Sequence, residues 1–212
     1  MRNDVKIYGY QLSQATMRVR IAANIKGIAF EETFLDLVRG DQFDEAFRAI
    51  NPQQVVPAVL VEGQKAPLFQ SMAILEYLEE TASEPALLPA DAASRAWVRG
   101  MAQILIADTH RYSVPSTRNY IVGPLALSEK QLLDWIHHWI GRGLTAFEKH
   151  LAADGRTGDF CFEDSPTFAD ICLFPQIIGA KRFNIPLADY PNAARIFERC
   201  MAMEAFKRAI PG

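Results

Sequence analysis

Residues 55–71 read VVPAVLVEGQKAPLFQS, and this stretch decides the fold. Ala58–Val61 and Ala66–Phe69 are two short apolar runs, and Glu62-Gly63-Gln64-Lys65 between them is a hairpin signal. Pro57 enters the first run after Val55-Val56. The bond before it takes either isomer: cis, which shapes a tight turn, or trans at an ordinary strand start. The cis form leaves the N–H and C=O of Val56 facing outward, able to pair with an extended ligand. Gln70-Ser71 then opens a helix with Ile74, Leu75 and Leu78 on its inner face, and Ser71 is expected to cap it.

Upstream, Val5–Tyr10 alternates, with Val5, Ile7 and Gly9 on one face and Lys6, Tyr8 and Tyr10 on the other, which reads as a strand. Thr16 to Lys26 places Met17, Ile21, Ala22 and Ile25 at helical spacing, and Gly27 stops the helix. Ile28–Leu37 is rich in strand formers. Asp41–Ile50 reads as a helix with Phe43, Phe47 and Ile50 inside, ended by Asn51-Pro52. The order is β-α-β-α-β-β-α. Ala82–Ala93, with Pro85 and Pro89, has the character of a linker. Beyond it only helices fit, over 91–112, 128–153, 167–179 and 191–209. A strand–helix unit followed by helices alone implies two domains, expected at 1–82 and 90–212.

The chain has 212 residues, half of them apolar and 22% charged, the balance of an ordinary globular protein. Its net charge of −3, with no extended basic cluster, argues against a nucleic-acid partner. The three cysteines, Cys161, Cys172 and Cys200, show no CxxC or Cys/His ligand spacing. Neither a metal site nor a disulfide framework is expected, and buried reduced thiols suit a cytoplasmic protein. Met1-Arg2-Asn3-Asp4 leads into Lys6 without an apolar signal core. No apolar run reaches the roughly 18 residues a membrane span needs.

Three polar features lie at one edge of the first unit. Ser13, after the first strand, either caps the following helix or donates its hydroxyl to a thiolate or oxyanion held at that helix N-terminus. Val56-Pro57 precedes the third strand. Gln70-Ser71 suits a carboxylate, with a simple cap as the alternative. Other residues read as structural. Trp135 and Trp139, spaced i, i+4, are expected in the core, and the adjacent His137 and His138 diverge too far on a helix to share a metal. Arg18 and Arg20 are expected in surface or interdomain pairs, and Phe160, Phe162, Phe168 and Phe174 in the core. Thr167-Phe168-Ala169-Asp170 is a capping box, whose loss through Asp170→Ala would cost about 1–2 kcal/mol.

The order of Ser13, Val56-Pro57 and Gln70-Ser71 resembles the glutathione transferase superfamily. Residues 17–22 (MRVRIA) with Lys26-Gly27, 51–58 (NPQQVVPA) and 70–80 (QSMAILEYLEE) are similar to its zeta class. So are Leu87-Leu88-Pro89, Pro175-Gln176, Arg182-Phe183 and Tyr190-Pro191. That class includes maleylacetoacetate and maleylpyruvate isomerases. The resemblance covers essentially the whole chain. It implies a thioredoxin-like, glutathione-binding N-terminal domain and an all-α C-terminal domain that supplies the pocket of a small electrophilic substrate. It also implies a homodimer. Ser13 falls on the catalytic serine, Val56 and Pro57 on the turn that pairs with the cysteinyl part of glutathione, and Gln70 and Ser71 on the γ-glutamyl carboxylate contacts. Gln42 and His110 fall on further glutathione contacts, and Arg182 on a substrate-binding arginine.

The chain departs from the class around Ser13. Leu12 stands where the class has an arginine, Gln14 replaces a second serine and Ala15 a cysteine. Pro115-Ser116 replaces the arginine pair of bacterial maleylpyruvate isomerases, with Arg118 nearby but out of register. Fewer arginines remain to clamp a dicarboxylate. The resemblance implies a glutathione transferase with cis–trans isomerase activity in reach. A glutathione-dependent dehalogenase or peroxidase, or a non-catalytic binding module of the same fold, are the alternatives.

Overall fold

The computed structural model describes residues 5–210, so the reading placed on Met1–Asp4 lies outside the described residues. The chain forms two compact units. One takes the chain up to Ala86 together with the segment from Met203, and the other takes Leu87–Ala202.

The first unit contains β1 (Val5–Gly9), α1 (Gln14–Ile25), β2 (Phe30–Phe34), α2 (Glu45–Ile50), β3 (Ala58–Val61), β4 (Leu68–Phe69) and α3 (Ser71–Thr81). This is the order expected from the sequence. The strands lie in the order β2-β1-β3-β4. β1 runs parallel to β2 and antiparallel to β3, and β3 pairs antiparallel with β4. Val5, Ile7 and Gly9 are the buried face of β1. A Cβ on Gly9 would collide with Thr16 Cγ2 and Glu32 Oε1, so α1 and β2 close over this strand only because glycine is there.

Helix α1 is buried almost all round, unlike an amphipathic surface helix. Its two arginines are therefore not in surface pairs. Arg18 is 1% exposed and Arg20 5%, and both find partners inside their own unit. With no solvent face available, a charge on α1 must be paired where it lies. The predicted helix over 41–50 is also divided. A 3₁₀ turn (Asp41–Phe43) is separated from α2 by extended Asp44. Phe47 is buried, but Phe43 is 57% exposed rather than inside.

The second unit contains α4 (Ala92–Ile106), α5 (Pro115–Val122), α6 (Glu129–Ala153), α7 (Phe168–Arg182) and α8 (Pro191–Met201), with no strand among its residues. The helix predicted to reach 112 stops at Ile106. A 3₁₀ turn (His110–Tyr112) follows, and then α5, which starts on Pro115 at a position where the missing N–H costs nothing. Helix α7 is buried on every side. Phe160, Phe162, Phe168 and Phe174 lie in the core, as do Cys161, Cys172 and Cys200, which form no disulfide. Trp135 and Trp139 do not. The inward row of α6 is Ile136, Ile140, Leu144 and Phe147, which leaves both indoles half-buried on its flank. There Tyr112 stacks on Trp139 with centroids 4.1 Å apart, and Trp135 Nε1 donates to Tyr112 O at 3.0 Å. The Glu148 carboxylate of α6 accepts Asn192 N and Ala193 N, each at 2.9 Å. A side chain of one helix thereby satisfies the free N–H groups at the start of α8.

The last element is α9 (Glu204–Lys207). Asn24 Nδ2 on α1 donates to Ala205 O at 2.9 Å, and Arg20 Nη1 donates to Ala209 O at 3.4 Å. These bonds group the final segment with the first unit, whereas helical periodicity alone groups it with the second.

The capping box of α7 is more deeply committed than its sequence suggests. Asp170 is fully buried. Its carboxylate accepts Thr167 N at 2.8 Å, Thr167 Oγ1 at 2.9 Å and Cys161 N at 2.8 Å. Burial pushes its pKa up against the pull of those donors. Asp170→Ala strands three buried donors, each worth about 1–3 kcal/mol when unpaired. The expected loss is therefore about 3 kcal/mol or more, above the 1–2 kcal/mol of an ordinary cap. Chemical denaturation of the variant checks this, and a loss below about 1 kcal/mol contradicts it.

Candidate active site

The register of the sheet assembles the site. Gly9 at the end of β1 pairs with Phe34 at the end of β2, and Tyr8 pairs with Ala58 at the start of β3. Ala58 in turn pairs with Phe69 at the end of β4. The segments just beyond these residues therefore leave the sheet at one edge. They are the Tyr10–Ser13 loop, the chain running to Gln42, the Val56-Pro57 turn and Gln70-Ser71. All six candidate residues of the first unit lie on them.

Ser13 is the N-cap of α1. Its Oγ accepts Thr16 N at 3.1 Å, and its carbonyl accepts Met17 N at 2.9 Å. Capping uses a lone pair, and the hydroxyl hydrogen donates to nothing among the described residues. The two readings of Ser13 are thus compatible: the side chain caps the helix and still has a donor to offer. The free N–H groups and positive dipole end of α1 lie beside it.

The Val56–Pro57 bond is cis. Asn51 Nδ2 donates to Val55 O at 2.7 Å and fastens the approach to this turn. Asn51 is 3% exposed. Its role is a local one that the Asn-Pro pair announced only as a helix stop.

Gln70 and Ser71 differ from the capping expectation. Gln70 is the N-cap position of α3, with φ 66° and ψ 115°, and it makes no side-chain cap bond. Its Nε2 donates to Gln53 Oε1 at 2.9 Å instead. Ser71 is the first helical residue, not the cap. It is buried, and its Oγ accepts Arg18 Nη1 at 3.2 Å. A buried guanidinium thus backs the hydroxyl at the start of α3, which suits an anion there. Gln42 sits in the 3₁₀ turn after β2, and its Oε1 is buried with no donor among the described residues. An orphaned acceptor at this edge fits a ligand carrying N–H groups.

His110 and Arg182 belong to the second unit. His110 opens the 3₁₀ turn after α4 and is half-buried. Arg182 ends α7, is exposed, and has no hydrogen-bond or ion-pair partner among the described residues. Arg118 of α5 lies over the ring of the neighbouring Phe183, with its Cζ 5.8 Å from the centroid. His137 Nε2 is 2.8 Å from Phe183 O. Among the described residues no group of three or more His, Cys, Asp or Glu is placed to hold a metal.

The family model described as glutathione S-transferase, N-terminal domain, matches residues 3–80, and that of the C-terminal domain matches residues 140–199. The maleylpyruvate isomerase of Ralstonia sp. is 39% identical over 207 residues, which cover 98% of this chain and 97% of that protein. A solved holo structure of a bacterial zeta-class glutathione S-transferase, a maleylpyruvate isomerase, superposes with TM-score 0.93 at 39% identity, covering 97% and 96% of the two chains. The maleylacetoacetate isomerase of Methylobacterium extorquens AM1, solved with malonate and glutathione bound, superposes with TM-score 0.94 at 44% identity, with the same coverage.

The positive φ of Gln70 costs a non-glycine residue about 1–2 kcal/mol. Gln70→Gly removes that strain and gives back about 0.5–1 kcal/mol through the freer unfolded chain. The variant is expected to unfold at the wild-type temperature or a few degrees above it. A melting temperature clearly below wild type would mean that the bond to Gln53 outweighs the strain.

Proposed function

This chain belongs to the glutathione S-transferase family, and we propose that it is a zeta-like, glutathione-dependent cis–trans isomerase of a small conjugated diacid such as maleylacetoacetate or maleylpyruvate. The observation that carries the reading is Ser13. Its hydroxyl hydrogen is uncommitted among the described residues, it stands at the N-terminus of α1, and the cis Val56–Pro57 turn and the start of α3 share its sheet edge.

The residues present fit glutathione. Ser13 and the end of α1 would hold the sulfur. The backbone of Val56, in the turn shaped by Pro57, would pair with the cysteinyl part. Ser71, whose Oγ accepts a hydrogen bond from the Arg18 guanidinium, and Gln70 would take the γ-glutamyl carboxylate. The orphaned Oε1 of Gln42 and the His110 ring would add further bonds. When bound, glutathione supplies a thiolate that would add reversibly to a conjugated carbon, its π pair passing to the conjugated carbonyl, so that the carbon–carbon bond becomes single and can rotate before the sulfur leaves and the double bond reforms. A free thiol ionises near pH 8.5, and hydrogen bonding to the charged form lowers that value. Ser13 therefore raises the fraction of nucleophile at neutral pH by donating to the anion.

Arg182 would hold a substrate carboxylate. Its guanidinium is exposed and has no ion-pair partner among the described residues, and arginine grips carboxylates through two parallel bonds. That a relative 44% identical was solved with both malonate and glutathione supports a small dicarboxylate as the substrate class. Leu12 and Pro115-Ser116 leave fewer cationic contacts than the class resemblance implies, so more of the binding falls to Arg182. A cytoplasmic homodimer completes the reading. Three buried cysteines without a disulfide suit a reducing compartment, and sedimentation should give a mass of two chains.

Ser13→Ala is expected to lower turnover about 100-fold, the cost of losing one donor to a developing anion. Glutathione should still bind, and the lost cap costs about 1 kcal/mol of stability. Full activity in the folded variant removes Ser13 from the mechanism. Arg182→Met should raise KM for the diacid about tenfold or more while leaving glutathione affinity unchanged. An unaltered KM would refute the carboxylate role.

A further inference from the structure

Arg20 spends all three guanidinium nitrogens on one junction. Nε donates to Glu32 Oε2 at 2.9 Å and Nη2 to Glu32 Oε1 at 2.6 Å. Nη2 also donates to Tyr10 O at 3.4 Å, and Nη1 reaches Gln11 O at 3.3 Å and Ala209 O at 3.4 Å. Tyr10 and Gln11 form the loop that leads to Ser13. The Tyr10 carbonyl is shared, because it also accepts Ser13 N at 3.1 Å. Arg20 and Ser13 are therefore one acceptor apart, and the third carbonyl comes from the end of the chain. Glu32 is the charged group that faces Arg20, and both side chains are almost buried.

We propose that Arg20 is a positioning residue for the Ser13 hydroxyl, and that the C-terminal segment, through the Ala209 carbonyl, is part of the scaffold that holds the sulfur-binding loop. The inference rests on the role of Ser13 given above. Only arginine can do this. Its planar fork reaches a carboxylate and three carbonyls at fixed angles, whereas the ammonium of lysine is a point charge with three donors. The Glu32 carboxylate neutralises the guanidinium and leaves its outer N–H groups for the backbone. The Tyr10–Gln11 loop is otherwise exposed on the Gln11 side, so these bonds fix the direction in which Ser13 points. A displacement of about 1 Å at such a donor can cost about 100-fold in rate.

Arg20→Lys tests this, because it keeps a cation against Glu32 while losing the fork. The primary readout is the ionisation of bound glutathione, followed by thiolate absorbance against pH without any second substrate. In the wild-type complex the thiol is expected to titrate below the free value of about 8.5. In Arg20→Lys the midpoint should rise by about one pH unit, and kcat should fall about tenfold with little change in KM for glutathione. Should the lysine variant fail to fold, a chain ended after Arg208 removes the Ala209 carbonyl and spares the Arg20–Glu32 pair. Its midpoint should move the same way by a smaller step. Wild-type ionisation and kcat in whichever variant folds overturns the proposal. Ser13→Ala is titrated alongside. A midpoint unmoved by that change would remove the role of Ser13 itself, whereas one moved by Ser13→Ala but not by Arg20→Lys would remove only the role of Arg20.

Discussion

β1 is held parallel to β2 on one side and antiparallel to β3 on the other, and every candidate group of the first unit follows from that double pairing. A parallel neighbour needs a crossover, and here α1 makes it, so the N-terminus of that helix comes to lie at the end of β1. An antiparallel neighbour arrives from the opposite direction, so the entry to β3 lies at the same edge. The β3–β4 hairpin then returns the chain to that edge at Gln70. A slip of one residue would turn Val5, Ile7 and Gly9 outward. It would also remove the glycine from the one position where Thr16 and Glu32 leave no room for a Cβ.

The same packing forces charge into the interior. Because α1 has no solvent face, Arg18 and Arg20 must be satisfied by the protein, and each is turned toward the candidate site. Arg18 reaches Ser71 and Arg20 reaches the loop before Ser13. Removing one member of a buried ion pair costs about 3–5 kcal/mol, mostly through the partner left uncompensated. Lys26 follows the same logic at the other end of the helix. Its ammonium meets Glu79 at 2.7 Å and the carbonyls of Ala82 and Pro85 at 2.6 and 3.0 Å, which anchors the chain leaving α3.

Period-two and period-3.6 patterns made the strands, α1, α3 and the long helices legible, and the hairpin signal at Glu62–Lys65 marked the pairing of β3 with β4. The cues failed where a local competitor acted. Extended Asp44 divided one predicted helix, and Pro115 opened a helix that has no cap signature. At the site, Ser13, Val56-Pro57 and Gln70-Ser71 were readable because turn chemistry marks them. Arg20 was not, because a charged residue on a helix reads as surface unless the burial of the whole helix is known. Ser71 was misread as a cap for a related reason. Its hydroxyl is claimed by a residue 53 positions away, a contact no local pattern encodes.

The central claim is isomerisation with glutathione as a catalyst rather than as a consumed partner. The most direct measurement is proton NMR of maleylpyruvate or maleylacetoacetate mixed with the protein and glutathione, with glutathione at about one hundredth of the substrate. An isomerase converts all of the cis substrate to the trans product and leaves the glutathione signals unchanged. Conversion that stops at one substrate per glutathione, with a stable adduct, would contradict the account and mark a conjugating transferase. No reaction at all would contradict it as well.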